Sequence, residues 1–201
     1  MNQIPDAQVF TLTRGKSGKL LRKGTHDLWK KKDVLIIGIN GAFTPLDTQM
    51  VKDFEASYDK FIDETVVDEI YFICMNDTYV MEAWWKSMKI KKCKYLPDGN
   101  GAFSMRLDGQ GGMSGGITVN EMYNKGMSKR SWRYAMLIEN NIQMAYIEEE
   151  TPDGSENRNN LENLAYTLTT PEEILKFLKN REQGDRIRDN NFHSYDQALP
   201  Q

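Results

Sequence analysis

The sequence predicts a single α/β domain, a sheet with helices on its faces, and three observations predict it. Two apolar runs, Asp33 to Ile39 and Glu69 to Cys74, are continuous, the first rich in β-branched residues, as strands buried on both faces are. Each is followed by a stretch whose apolar residues recur at helical spacing. Strand, helix, strand, helix in that order implies right-handed crossovers and a parallel pairing. At 201 residues and 39% hydrophobic composition, the chain is long enough to bury one core and short for two.

Taken in order, Gln8 to Leu12 alternates as a half-buried strand, and Gly15-Lys16-Ser17-Gly18 reads as a turn. Thr25 is placed to cap a short helix reaching Trp29, and Lys30-Lys31-Lys32 forms a solvated turn before the strand that ends at Asn40-Gly41. Phe54, Tyr58, Phe61 and Ile62 then mark an amphipathic helix over roughly 45–64. After the second buried strand, Asp77 caps a helix through Met88, with Val80, Trp84 and Met88 on one stripe. Gly109 to Gly116 is a glycine-rich loop without the Gly-Lys-Ser/Thr ending of a phosphate-binding loop. Ser131 to Glu139 and Ile142 to Ile147 are strands joined at Asn140-Asn141, a hairpin turn, and Thr151 to Asn160 is polar loop. Thr170-Pro171-Glu172-Glu173 opens a last helix with a capping box and a proline at the first helical position. The domain is therefore drawn over 1–180, with 181–201 as a polar carboxyl-terminal tail.

Composition excludes several classes of function. With 26 Lys and Arg against 29 Asp and Glu, interspersed along the chain, no basic face for nucleic acid or an anionic membrane is predicted. The apolar runs are far too short to span a bilayer. The amino terminus lacks the basic, apolar and small-residue pattern of a signal peptide, so the expected compartment is the cytoplasm. Cys74 and Cys93, with His26 and His193, give neither a disulfide framework nor zinc spacing, and no metal or cofactor is expected.

Chemistry is expected where the first buried strand enters the long helix, over Asn40-Gly41-Ala42-Phe43-Thr44-Pro45-Leu46-Asp47. Ligands in open α/β sheets sit at the carboxyl ends of strands, and a helix N-terminus there offers N–H groups to an anion. Four separated motifs, in order, carry a family resemblance: Gly41-Ala42-Phe43-Thr44-Pro45; Asn76-Asp77 followed by Ala83-Trp84; Leu96-Pro97-Asp98-Gly99-Asn100-Gly101; and Lys129-Arg130-Ser131-Trp132-Arg133-Tyr134-Ala135-Met136. From about residue 4 to about 179 the chain resembles the type II peroxiredoxins, thiol peroxidases with a thioredoxin-like fold and a central mixed β-sheet flanked by helices. The resemblance implies thiol-dependent reduction of hydrogen peroxide and alkyl hydroperoxides. In that family a cysteine follows Gly-Ala-Phe-Thr-Pro-x, and a threonine and an arginine hold its thiolate and the peroxide in line. Thr44 matches the threonine and Arg133 the arginine, while the cysteine position holds Asp47. The run that follows is one residue short before Phe54, so Asp47 stands at the cysteine's place or at its neighbour's with the cysteine deleted.

A carboxylate oxygen cannot climb the sulfur oxidation ladder and be returned by a second thiol. The expectation is therefore a peroxiredoxin homologue whose reaction is lost or weakened, acting through binding or interaction, and forming a homodimer. The alternatives are a residual thiol peroxidase using Cys93 or Cys74, or an engineered Cys-to-Asp mimic of the oxidised enzyme. An active form would draw on a thiol reductant such as glutaredoxin, thioredoxin or glutathione.

Other readings accompany this one. Thr44, Pro45 and Asp47 fall at N-cap, first and third helical positions, close to a capping box, and a carboxylate there gains about 0.3–1 kcal/mol from the helix dipole. Ion pairing of Asp47 with Arg133 adds to that role. Cys74 is expected in the core, and Cys93 beside three lysines, which favour a thiolate. Trp84, Trp85 and Trp132 are candidates for a binding surface, although two of them sit within helical or strand patterns that favour core packing or a subunit contact, and His26 is expected to face solvent.

Overall fold

A computed structural model describes residues 2–12, 18–108, 119–151 and 165–181. The turn at 15–18 falls mostly outside them, as do the glycine-rich loop at 109–116, the polar loop after Thr151 and the carboxyl-terminal tail from 182.

The two apolar runs form the centre of the sheet. Strands β1 (Asn2–Gln3), β4 (Asp33–Gly38), β5 (Glu69–Cys74), β6 (Lys94–Pro97), β9 (Tyr134–Glu139) and β10 (Ile142–Glu148) pair in the order β1-β10-β9-β4-β5-β6. β4, β5 and β6 run parallel, as the alternating pattern implies, whereas β9, β10 and β1 join antiparallel, so the sheet is mixed. A hairpin of β2 (Gln8–Leu12) and β3 (Leu20–Gly24) and a pair of β7 (Val119–Met122) and β8 (Ser128–Ser131) lie outside it.

Alternation along β4 divides the core into two layers. Leu35 and Ile37 face Met50, Phe54 and Phe61 of helix α2 (Pro45–Glu64), Trp84 of α3 (Thr78–Met88), and Ile174 and Leu178 of a helix over 171–181, here α5. Val34 and Ile36 face the amino-terminal segment, Trp29 of α1 (Thr25–Trp29), and Phe103 and Leu107 around α4 (Ser104–Asp108). Helices and loops therefore cover both faces, and the carboxyl ends of β4 and β5 open onto one edge. Among the described residues no helix is long and apolar enough to cross a membrane.

Several local expectations need correction. Thr25 is the first residue of α1 rather than its cap, which is Gly24; its hydroxyl accepts from the Ala7 N–H and donates to the Pro5 carbonyl, pinning the amino-terminal segment. His26 does not simply face solvent: its Nε2 lies 2.7 Å from the Ile4 carbonyl oxygen in a half-buried contact. The strand expected from Ser131 to Glu139 is broken at Trp132-Arg133, which separates β8 from β9. The turn at Asn140-Asn141 forms as expected, both residues having positive φ as a tight hairpin with right-handed twist requires.

Candidate functional site

The loop leaving β4 is shaped around one carboxylate. Pro45 opens α2 and Asp47 lies in its first turn, fully buried. Asp47 Oδ2 accepts hydrogen bonds from the Gly41 N–H at 2.9 Å and from the Thr44 hydroxyl at 2.8 Å. The expected capping geometry is thus replaced. Thr44 occupies the N-cap with no side-chain cap bond, because its hydroxyl is turned back to donate to Asp47 Oδ2, with the Gly41 carbonyl oxygen 3.1 Å away. At α5 the same motif does cap: the Glu173 N–H donates to Thr170 Oγ1 at 3.3 Å. At the same spacing, the Glu173 carboxylate pairs with Lys176 in solvent, whereas the Asp47 carboxylate is turned inward to a buried partner.

That group is Arg133. Its Nη2 lies 2.5 Å from Asp47 Oδ1, with the two side chains 1% and 0% exposed. Arg133 Nη1 donates to the Ala165 carbonyl at 2.6 Å. Asp47 and Arg133, 86 residues apart, and Thr44 are brought together as the sequence motifs predict. The break at Trp132-Arg133 aims the guanidinium at α2 instead of continuing the β9 ladder.

The neighbouring loop is tied to β5. Asn76 Oδ1 accepts from the Ala42 N–H at 3.0 Å and from the Cys74 thiol at 2.9 Å. Phe43, in the left-handed region at φ 65°, turns the chain between these anchors, and its ring packs 6.3 Å from that of Trp84. Trp84 Nε1 donates to Thr48 Oγ1, Trp85 Nε1 to the Cys93 carbonyl and Trp132 Nε1 to the Glu149 carbonyl, so all three tryptophans are core residues.

Neither thiol is prepared for nucleophilic attack. Burial, with the negative charge of Asp47 adding to it, pushes the Cys74 thiol up to about 12. Cys93 departs from expectation. It is buried, and Glu55, whose carboxylate accepts the N–H groups of Lys91, Lys92 and Cys93, stands where the lysines were expected to act. Burial and that carboxylate raise the thiol well above its usual range. Lys92 turns away to Asp59 and Lys94 to Glu69.

Glu149 is a functional candidate that the sequence reading missed. Fully buried, it takes the N–H groups of Thr167, Leu168 and Thr169 and the hydroxyls of Thr167 and Thr169.

Comparison with known proteins bears on the family and the fold. The family model described as Redoxin matches residues 2–165. A peroxiredoxin of Rhizobium etli is 36% identical over 158 residues, covering 78% of this chain and 80% of that protein. Peroxiredoxin y4vD of Sinorhizobium fredii is 33% identical over 77% of this chain and 75% of its own. Among solved structures, the Plasmodium falciparum antioxidant protein, a 1-Cys peroxiredoxin, superposes with a TM-score of 0.76 at 33% identity, covering 89% of this chain and 97% of that one.

Proposed function

We propose, from the premise that this chain belongs to the redoxin family and to the peroxiredoxins within it, that Asp47 occupies the position of the family's peroxidatic cysteine and that the peroxidase reaction is lost or weakened. The observation that carries this reading is the contact set of Asp47: a buried side chain in the first turn of α2, held at once by Thr44 and Arg133, the two residues that match the family's threonine and arginine. A thiolate there would be stabilised by the helix N-terminus and the guanidinium, and a carboxylate uses the same field. The carboxylate, however, has no sulfur to take an oxygen atom from a peroxide, and it already engages the guanidinium that would meet the substrate.

What remains is a peroxiredoxin scaffold with a locked site, which we assign to binding or interaction in the cytoplasm, as a homodimer. The reading that Cys74 or Cys93 sustains a residual reaction is disfavoured by their burial and raised thiols.

Hydrogen peroxide consumption with dithiothreitol as reductant tests the reading on the native chain, Cys74→Ser and Cys93→Ser. The expected result is no consumption above the buffer rate in any of the three. Consumption by the native chain that disappears in one cysteine variant would overturn it.

A further inference from the structure

We propose that Glu149 is a positioning residue for Arg133, setting through a five-fold clamp where the guanidinium points. The inference rests on the reading of position 47 as the family's thiol position. Arg133 is fixed at both ends by groups that Glu149 controls. On the main-chain side, the Glu149 N–H donates to the Arg133 carbonyl at 3.0 Å, and the Glu149 carbonyl accepts from the indole of Trp132, the residue before Arg133, at 2.8 Å. On the side-chain side, Arg133 Nη1 donates to the Ala165 carbonyl. Ala165 stands two residues before the segment that the Glu149 carboxylate gathers: Oε1 takes the N–H groups of Thr167, Leu168 and Thr169 at 2.9, 2.9 and 2.7 Å and the Thr169 hydroxyl at 2.7 Å, while Oε2 takes the Thr167 hydroxyl at 3.0 Å.

A fully buried carboxylate persists only when its lone pairs are satisfied, and here every donor named comes from that one segment. The carboxylate therefore ties the end of β10 to residues 167–169, and the chain between it and Arg133 Nη1 is three residues long. With one nitrogen held by Ala165, the guanidinium can rotate little, and Nη2 is left directed at position 47. Nη1 on Ala165 and Nη2 on position 47 are two arms of one fork, which fits the fixed donor geometry of an arginine.

The test places a thiol in the field of Arg133 and measures it. In Asp47→Cys, the pH dependence of iodoacetamide alkylation at position 47, followed by mass of the peptide, reports the thiol's ionisation. The expected midpoint lies below the ordinary thiol value of about 8.5. Adding Glu149→Gln, or Thr167→Val with Thr169→Val, is expected to raise it by about one pH unit, with circular dichroism unchanged. The threonine pair decides the matter if Glu149→Gln does not fold. A low midpoint that neither addition moves in folded protein overturns the proposal while leaving the reading of position 47 intact. An ordinary midpoint in Asp47→Cys alone overturns that reading, and the proposal with it.

Discussion

Asp47 Oδ1 and Arg133 Nη2 meet at 2.5 Å with both side chains out of solvent, the most buried ion pair among the described residues. Two charges removed from water are tolerated only with further hydrogen bonds, and these come from Gly41 and Thr44 to the carboxylate and from Ala165 to the guanidinium. Removing one partner leaves the other buried and uncompensated. Arg133→Met is therefore expected to lower the unfolding free energy in urea by about 3–5 kcal/mol. Combined with Asp47→Leu, the loss should be smaller than the sum of the two single losses, since the stranded charge is gone.

Both thiols should be silent in the folded protein. At pH 8 Ellman's reagent is expected to modify neither Cys74 nor Cys93 on mixing, and both after addition of guanidinium chloride. Because the charge of Asp47 contributes to the raised Cys74 thiol, Asp47→Asn should shift the reactivity of Cys74 toward lower pH, and that of Cys93 not at all.

Glu55 gives a pH signature. Burial raises its pKa, but the N–H groups of Cys93, Lys91 and Lys92 outweigh burial and hold it below its ordinary value of 4.5. A depressed folded pKa means that the carboxylate's stabilisation is complete above the unfolded value and is lost as pH falls through the folded one. Because solvent screens this carboxylate, Glu55→Gln should cost no more than about 1 kcal/mol at pH 7, and this difference should shrink below pH 4.5 in urea titrations at successive pH values.

Gly38 is required by the ring of Tyr134. A Cβ there would stand 2.2 Å from Tyr134 Cε1 and 2.8 Å from the Trp132 carbonyl. Gly38→Ala should lower stability by about 1–3 kcal/mol in thermal unfolding, because the crowded atoms flank Arg133 in sequence and cannot retreat freely.

How much of this was legible depends on range. The bounds of α2 follow from Phe54 and Phe61 recurring inward and from Pro45, signals confined to the helix itself, and β4 and β5 follow from apolar runs buried on both faces. β3 was not legible, because four of its five residues are exposed and the run shows no inward–outward alternation. The meeting of Thr44, Asp47 and Arg133 came from motif resemblance; no local periodicity encodes a contact across 86 residues. Glu149 was hidden in Glu148-Glu149-Glu150, which looks like a solvated acidic run. Counting the hairpin outward from Asn140-Asn141 sets Glu148 against Arg133, but the register shift between Gln143 and Ala145 moves Glu149 there instead.

If position 47 is a thiol-peroxidase position filled by a carboxylate, returning the sulfur returns the reaction, and the rate of hydrogen peroxide consumption with dithiothreitol by Asp47→Cys, beside the native chain, reads this out. Consumption well above the native rate is expected in Asp47→Cys, abolished when Arg133→Met is added. Folded Asp47→Cys protein that consumes peroxide no faster than the native chain would overturn the assignment of position 47.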